Sequence, residues 1–362
     1  MKKVKILVGL SGGVDSAVSA YLLKQQWYDV TAGFMINYLA PEGEYCPTKD
    51  DLEEAKKVAE FLDIPFFTFD FRDEYEAKVL NYMYEGYKKG ITPNPDIMCN
   101  SEVKFKVFLD EALEAGFDMV ATGHYAQIKR DDTGDCHLFK WVDPNKDQSY
   151  FLAGLSQQQL SKTMFPIGDI PKTKVREIAT EAGLPNAKRK DSQWICFVGK
   201  VDMHEFLEKK IQPKPGKVID TSGKILGEHK WVFYYTVGQR KGLDIGWQPE
   251  PIFIVKKDIE KNEIIVGYGS DEALYENELT MNNINYINPL APLSGGTKKS
   301  PWQRVGVCSK IRYRQADQSC NIEKIWDDEY RVVFDENQRA IAAGQICAIY
   351  IWDELVMSGV IQ

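Results

Sequence analysis

The segment 4–23 constrains the fold more than any other part of the chain. Val4-Lys5-Ile6-Leu7-Val8 reads as a buried strand and passes directly into Gly9-Leu10-Ser11-Gly12-Gly13-Val14-Asp15-Ser16. The next residues, Ala17-Val18-Ser19-Ala20-Tyr21-Leu22-Leu23, are helix formers. A strand, a glycine turn and a helix in that order make the first unit of a parallel α/β sheet. Gly12 and Gly13 leave the backbone bare, so an anion can approach its N–H groups. Ser11 and Ser16 add hydroxyl donors, and the helix aims the positive end of its dipole at the same point. This combination predicts a pyrophosphate-binding loop for ATP. No Gly-Lys-Ser/Thr follows the glycines, so the local sequence sets no lysine against the outer phosphates. Such a loop suits a protein that grips pyrophosphate and passes AMP to an acceptor. The competing reading is an ordinary glycine-rich turn.

The strand, the paired glycines, the two serines and Asp15 resemble the signature of the ATP pyrophosphatase superfamily. That resemblance implies a nucleotide and a style of reaction, and leaves the acceptor open.

A chain of 362 residues predicts two or three domains. Hydrophobic content of 44% and charged content of 27% are those of an ordinary globular protein. No apolar stretch reaches the length of a membrane span, and Met1-Lys2-Lys3 leads straight into the first strand, so neither a leader peptide nor a membrane partner is expected. The seven cysteines are scattered and odd in number, which predicts reduced thiols and a cytoplasmic location. Without a Cys-x-x-Cys pair, and with four isolated histidines, no structural zinc, iron–sulfur cluster or other metal-ligating set is expected. The net charge of −8 argues against a coat of base for nonspecific nucleic-acid binding but leaves room for a local basic face.

Strands and helices alternate through the first two hundred residues. Strands are predicted at 4–9, 29–34, 64–69 and 119–122, and helices at 15–26, 48–62, 73–87 and 104–115. The expected fold is therefore a doubly wound parallel sheet with helices on both faces, and ligands at the carboxyl ends of its strands. After about residue 205 the texture changes to short β-prone runs and turns. A small central β-rich domain is expected over 206–277. Over 278–362 a C-terminal antiparallel β-barrel is expected, with β-prone runs at 304–309, 311–313, 330–334 and 346–351. The first domain is then 1–205.

Two further stretches carry chemistry. In Thr92-Pro93-Asn94-Pro95-Asp96-Ile97-Met98-Cys99-Asn100 the prolines bar helix before Asp96, and Asp96 or a neighbour can cap the helix that follows. Cys99 then sits at a helix N-terminus, where the dipole favours thiolate over the ordinary thiol of pKa about 8.5. In Lys188-Arg189-Lys190-Asp191-Ser192-Gln193-Trp194-Ile195-Cys196-Phe197 a second cysteine lies in an apolar, strand-like segment behind a cationic cluster. Two cysteines suit a sulfur relay, in which one carries a persulfide and a disulfide is left. A buried structural cysteine is the alternative for each.

Taken together, these motifs resemble the bacterial tRNA-specific 2-thiouridylase family. The resemblance rests on 9–16, Asn-Pro-Asp-x-x-Cys-Asn at 94–100, Thr-Gly-His-Tyr at 122–125, Lys-Asp-Gln-Ser-Tyr-Phe-Leu at 146–152 and Ile-Cys-Phe at 195–197. Tyr-Thr-Val-Gly-Gln-Arg-Lys-Gly-Leu at 235–243 and Lys-Ile-Arg-Tyr-Arg at 310–314 extend it. Trp194 departs from the smaller residue expected there. The resemblance implies that Gly9, Leu10, Ser11, Gly12, Gly13, Val14, Asp15, Ser16, Met35 and Gly123 bind ATP, with Mg²⁺ accompanying the nucleotide. It implies that Asn94, Pro95 and Asp96 meet the target uridine, with Asp96 as general acid/base, Cys99 as nucleophile and Cys196 as persulfide carrier. His124, Lys146, Asp147, Gln148, Arg312, Tyr313 and Gln345 are the implied tRNA contacts. The implied partners are the anticodon arm of tRNA with its wobble uridine, a persulfide sulfur donor protein, and a reductant for a Cys99–Cys196 disulfide.

Charge placement agrees with an RNA partner. No Asp or Glu occurs between Leu279 and Ala316, where Lys298, Lys299, Arg304, Lys310, Arg312 and Arg314 fall. Residues 172–190 hold Lys172, Lys174, Arg176, Lys188, Arg189 and Lys190. These predict phosphate contacts, and Tyr313 a stacking surface for an extruded base. An AMP-forming ligase with a small acceptor and a non-catalytic RNA-binding module are the rival readings.

Overall fold

The structure is a computed structural model, and it describes residues 3–40, 46–190, 203–208, 210–243, 245–288 and 306–362. The first strand, β1 (Lys5–Gly9), is buried along nearly its whole length, as an apolar run in a sheet covered on both faces must be. It pairs in parallel with β2 (Asp29–Ile36) on one side and β4 (Met119–Ala121) on the other. β3 (Phe66–Asp70) and β7 (Thr163–Met164) complete a five-stranded sheet of order β3-β2-β1-β4-β7, all parallel.

Helix α1 (Val14–Gln25) and α2 (Pro47–Phe61) cover one face, where Ala17, Val18, Leu23, Ala55 and Val58 form a core with Ile6 and Val8. The other face is covered by the helical runs 72–88 and 95–114, through Tyr75, Met83, Phe105 and Phe108. Both runs contain a π-helical stretch, Glu76–Leu80 and Cys99–Val107.

The 95–114 run begins earlier than the two prolines suggested. Pro95 occupies the first helical position, where its missing N–H costs nothing, and Asn94 caps the run by accepting from the Ile97 N–H at 3.2 Å. Asp96 is thus the second helical residue and Cys99 the fifth.

Residues 216–268 form a four-stranded sheet of order β10-β11-β8-β9, built from β8 (Gly216–Asp220), β9 (Ile225–His229), β10 (Ile252–Asp258) and β11 (Glu263–Tyr268). Beyond it lie β12 (Tyr275–Tyr286), β13 (Val307–Lys310), β14 (Gln318–Trp326), β15 (Glu329–Arg339), β16 (Ile346–Ile351) and β17 (Glu354–Ile361). Their order β12-β15-β14-β13-β16-β17, with β12 also paired to β17, closes an antiparallel six-stranded barrel. Closure removes the exposed sheet edge. The 311–313 run, expected as a strand, is instead a turn: the Ile311 N–H donates to the Gln315 side chain at 2.9 Å and Gln315 N to the Arg312 carbonyl at 3.2 Å. A hairpin from the first part of the chain, β5 (Gln127–Arg130) and β6 (Cys136–Phe139), adds to the barrel by pairing with β17.

Candidate active site

The glycine loop lies at the carboxyl end of β1. Gly12 takes φ of +76°, and a Cβ there would stand 2.5 Å from the Asp51 carbonyl oxygen. Only glycine fits both demands. The loop is tied internally: Ser16 Oγ accepts from Ser11 N at 3.1 Å, meets Ser11 Oγ at 3.2 Å and donates to the Gly13 carbonyl at 3.1 Å. Leu10 and Val14 are buried and anchor its ends, and Leu10 N donates to the Gly33 carbonyl at 2.9 Å. Met35 is buried beside Gly9, whose added Cβ would sit 3.3 Å from Met35 Cε.

Residues distant in sequence complete this loop. Asn186 Nδ2 and Arg189 Nη1 donate to the Gly12 carbonyl at 2.7 and 3.1 Å, and Arg189 also pairs with Asp51. Burial raises the Asp51 pKa above the usual carboxylate value, against the lowering effect of Arg189. Asp15 receives Lys172 Nζ at 2.7 and 2.9 Å and the Tyr125 hydroxyl at 2.6 Å. The lysine that the local motif lacks therefore reaches the loop from residue 172. Lys172 and Arg189 belong to the cationic stretch that predicts phosphate contacts. Both turn inward, as does Arg176, which donates to the Ala187 carbonyl at 3.1 Å. Nothing in the spacing could have revealed this, because the 172–181 helix reaches α1 only through the sheet topology.

The 122–125 motif braces the same loop. A Cβ on Gly123 would lie 2.7 Å from Asp15 C and Ser16 N, so glycine is what lets this strand end sit against the start of α1. His124 Nδ1 bonds to Thr122 Oγ1 at 2.7 Å, and its ring rests between Phe105 and Phe165. Burial, with Lys104 adding to it, drives the His124 pKa well below its usual value and holds the imidazole neutral. Gln148 bonds both to the Tyr125 N–H through its side chain and to the Tyr125 carbonyl through its backbone, each at 2.9 Å.

Cys99 is fully buried where the first α-turn gives way to the π-helical stretch. Such stretches frequently mark functional positions. Asn100 Nδ2 donates to the Phe151 carbonyl at 2.9 Å, and Gln159 Nε2 to the Ser101 carbonyl at 2.8 Å. Phe151 in turn packs on Tyr313, ring centroids 4.2 Å apart. The Cys99 helix, the 148–151 segment and the barrel turn at Tyr313 thus meet. Among the barrel cysteines, burial pushes Cys308 to about 11 and Cys320 to about 12, and raises Cys347 further, so these thiols stay protonated and unreactive.

The remaining candidates divide by exposure. Lys146 is exposed. Asp147 is buried, accepting from Trp141 N at 3.0 Å, Ser149 N at 3.1 Å and Ser149 Oγ at 2.9 Å, with Lys310 Nζ at 3.4 Å. Asp147 therefore lies beneath the surface, below the exposed Lys146. Arg312 donates to the Ala340 carbonyl at 3.2 Å, and Gln345 Nε2 to the Thr92 carbonyl at 2.8 Å. Thr92 also bonds through its N–H to the Ala343 carbonyl at 2.8 Å and through its hydroxyl to Thr236 Oγ1 at 3.2 Å. The end of the barrel, through Ala343 and Gln345, and the segment between β9 and β10, through Thr236, together hold the approach to Asn94-Pro95-Asp96. Cys196, Trp194, Lys298, Lys299 and Arg304 lie outside the described residues.

An α/β sheet with a braced glycine loop, followed by two β domains, is a nucleotide-binding HUP-type enzyme architecture. Residues 4–200 match a family model described as tRNA methyl transferase HUP domain. Residues 204–268 match a tRNA methyl transferase PRC-barrel domain, and residues 276–361 an aminomethyltransferase beta-barrel domain. The chain is 44% identical over 361 residues to the tRNA-specific 2-thiouridylase MnmA of Lysinibacillus sphaericus, covering 99% of this chain and 94% of that protein. It is 43% identical to the same-named protein of Pseudomonas fluorescens, over 99% of this chain and 95% of that one. The chain belongs to the tRNA-specific 2-thiouridylase family.

Proposed function

We propose that the protein is a tRNA sulfurtransferase that replaces the C2 oxygen of the wobble uridine with sulfur at the expense of ATP. Full-length identity to proteins named for that reaction supports the proposal. So does the start of the 95–114 run, which carries Asp96 and Cys99: the run ends at the amino end of β4, beside Lys5, and so begins toward the carboxyl edge where the glycine loop lies. The uracil C2 carbonyl is a weak electrophile with a poor leaving group. Its oxygen attacks the α-phosphorus of ATP, the bond to pyrophosphate breaks, and the loop at Gly12 holds the departing pyrophosphate with its N–H groups and hydroxyls. Asp96 takes the N3 proton as this happens and returns it later.

The terminal sulfur of a Cys196 persulfide then adds to C2, and AMP leaves with the former carbonyl oxygen. Cys99 thiolate attacks the inner persulfide sulfur, which frees the thiocarbonyl and leaves a Cys99–Cys196 disulfide. A thiol reductant restores both cysteines, and a persulfide donor reloads Cys196. Among the described residues no group of three metal-ligating side chains occurs, and Asp15 is engaged by Lys172 and Tyr125. Mg²⁺ bound with the nucleotide phosphates would supply charge neutralisation at the loop, beside Ser11, Asp15 and Ser16.

The test is mass spectrometry of wobble uridines from cells lacking the protein, complemented by wild type or by Cys196→Ser. Loss of 2-thiouridine restored only by wild type is expected. Unchanged 2-thiouridine in the deletion strain would sink the assignment.

A further inference from the structure

Asn37 follows β2 directly and is 1% exposed, yet neither its Oδ1 nor its Nδ2 has a hydrogen-bond partner. Leaving both ends of a buried amide unmet is costly, and folded proteins keep few such groups. Other buried asparagines here do better. Asn100, Asn186 and Asn262 each donate through Nδ2 and lack a partner only for Oδ1. The backbone on both sides of Asn37 is fixed: Phe71 N donates to the Ile36 carbonyl at 2.9 Å and Thr48 Oγ1 to the Tyr38 carbonyl at 2.8 Å. The backbone that carries the amide is thus held in place on both sides of it.

Its position points to what it meets. Gly33 and Met35 face the side of the sheet covered by Phe108 and the core that contains Cys99. Strand alternation puts Asn37 in the same row, at the carboxyl edge, one strand over from the loop at the end of β1. A primary amide offers one donor beside one acceptor in a plane. The complementary pattern is an acceptor beside a donor on a nucleobase edge, as in adenine N6–H with a ring nitrogen or uracil N3–H with a carbonyl.

We infer that Asn37 reads a nucleobase edge and that the bound base supplies both of its missing hydrogen bonds. The inference rests on the proposed function, which brings an adenine and a uracil to this edge of the sheet.

The experiment uses the full-length protein with Asn37→Leu, a replacement of similar volume. It measures the Kd for a non-hydrolysable ATP analogue, the KM for tRNA in thiolation, and the melting temperature without ligand. At least a tenfold weakening of one constant is expected, with no fall in melting temperature, because an unmet buried amide has been removed. A raised analogue Kd with the KM for tRNA kept identifies adenine as the base. A raised KM for tRNA with analogue binding kept identifies the target pyrimidine. Both constants within twofold of wild type would overturn the inference and make Asn37 a structural amide only. If Asn37→Leu does not fold, Asn37→Ser carries the same comparison. Should wild type form no 2-thiouridine, that failure belongs to the proposed function, and the Kd for the analogue together with the Kd for tRNA decides Asn37.

Discussion

Gly123→Ala separates the geometry of the loop from the stability of the fold. The added methyl would stand 2.7 Å from Asp15 C and Ser16 N and 3.0 Å from Asp15 Cβ. Ordinary carbon contacts begin at roughly 3.5 Å, so the start of α1 and the end of β4 must part by about 0.8 Å. Two of the three close atoms are backbone, and no side-chain rotation relieves them. Overpacking of this kind costs about 1–3 kcal/mol. Gly123 lies outside the left-handed region, so alanine also gains about 0.4–1 kcal/mol by restricting the unfolded chain. The net loss of stability is about 0–2.5 kcal/mol, or a few degrees in melting temperature. Catalysis is far less tolerant, since misplacing reacting groups by close to 1 Å costs on the order of 100-fold. Pyrophosphate release measured with saturating tRNA should show kcat/KM for ATP down about 100-fold in a protein that still melts cooperatively. Activity within about threefold of wild type, with the fold intact, would refute the argument that Gly123 sets the position of the loop.

Three further outcomes follow from the contacts. Lys172→Met removes the cation on Asp15, and pyrophosphate release should fall by about 10–100-fold; adding Asp15→Asn should cost little more, because the pair acts as one unit. Gly344→Ala places a Cβ 2.9 Å from Ile91 Cβ at φ of +88°, so it should displace the Thr92 clamp and raise the KM for tRNA while analogue binding is unchanged. His124 and His137 should bend stability in opposite directions with pH. His124, held neutral, destabilises as pH falls below the unfolded value of about 6.5 because the unfolded chain takes up the proton. Burial alone would lower His137, but its hydrogen bonds to Glu354 and Asp131 outweigh that and raise its pKa. Its contribution is full below about 6.5 and is lost as pH rises through the raised value. Melting curves between about pH 5.5 and 8 should therefore flatten at the acid end in His124→Leu and at the alkaline end in His137→Gln.

Local signals in the chain were strong where a residue's neighbours decide its state. Strand β1, the loop at Gly12 and the helix after it were readable because alternation, bare backbone and helix propensity act over a few positions. The helix expected over 104–115 in fact begins at Pro95, because proline tolerates the first helical position as well as it bars the interior. The 311–313 run reads as strand by composition, and the Gln315 side chain captures its backbone as a turn instead. Lys172, Arg189 and Asn186 were invisible as loop partners, since only the stacking of the 172–181 helix on α1 brings them to Gly12 and Asp15. Asn37 gives no sequence signal at all; its meaning lies in being buried with nothing to bond. Likewise the hairpin at 127–139 reads as part of the first domain, and only pairing between Leu138 and Leu355 shows that it extends the barrel sheet.

The central claim is that AMP is placed on the uridine's own C2 oxygen before sulfur replaces it. Transfer RNA carrying oxygen-18 at C2 of the wobble uridine, incubated with ATP, a persulfide donor and the purified protein, tests it in one turnover. The account predicts one oxygen-18 in the phosphate of each AMP released, and one AMP per 2-thiouridine formed. Unlabelled AMP alongside 2-thiouridine would contradict it, because the oxygen would then have left by another route.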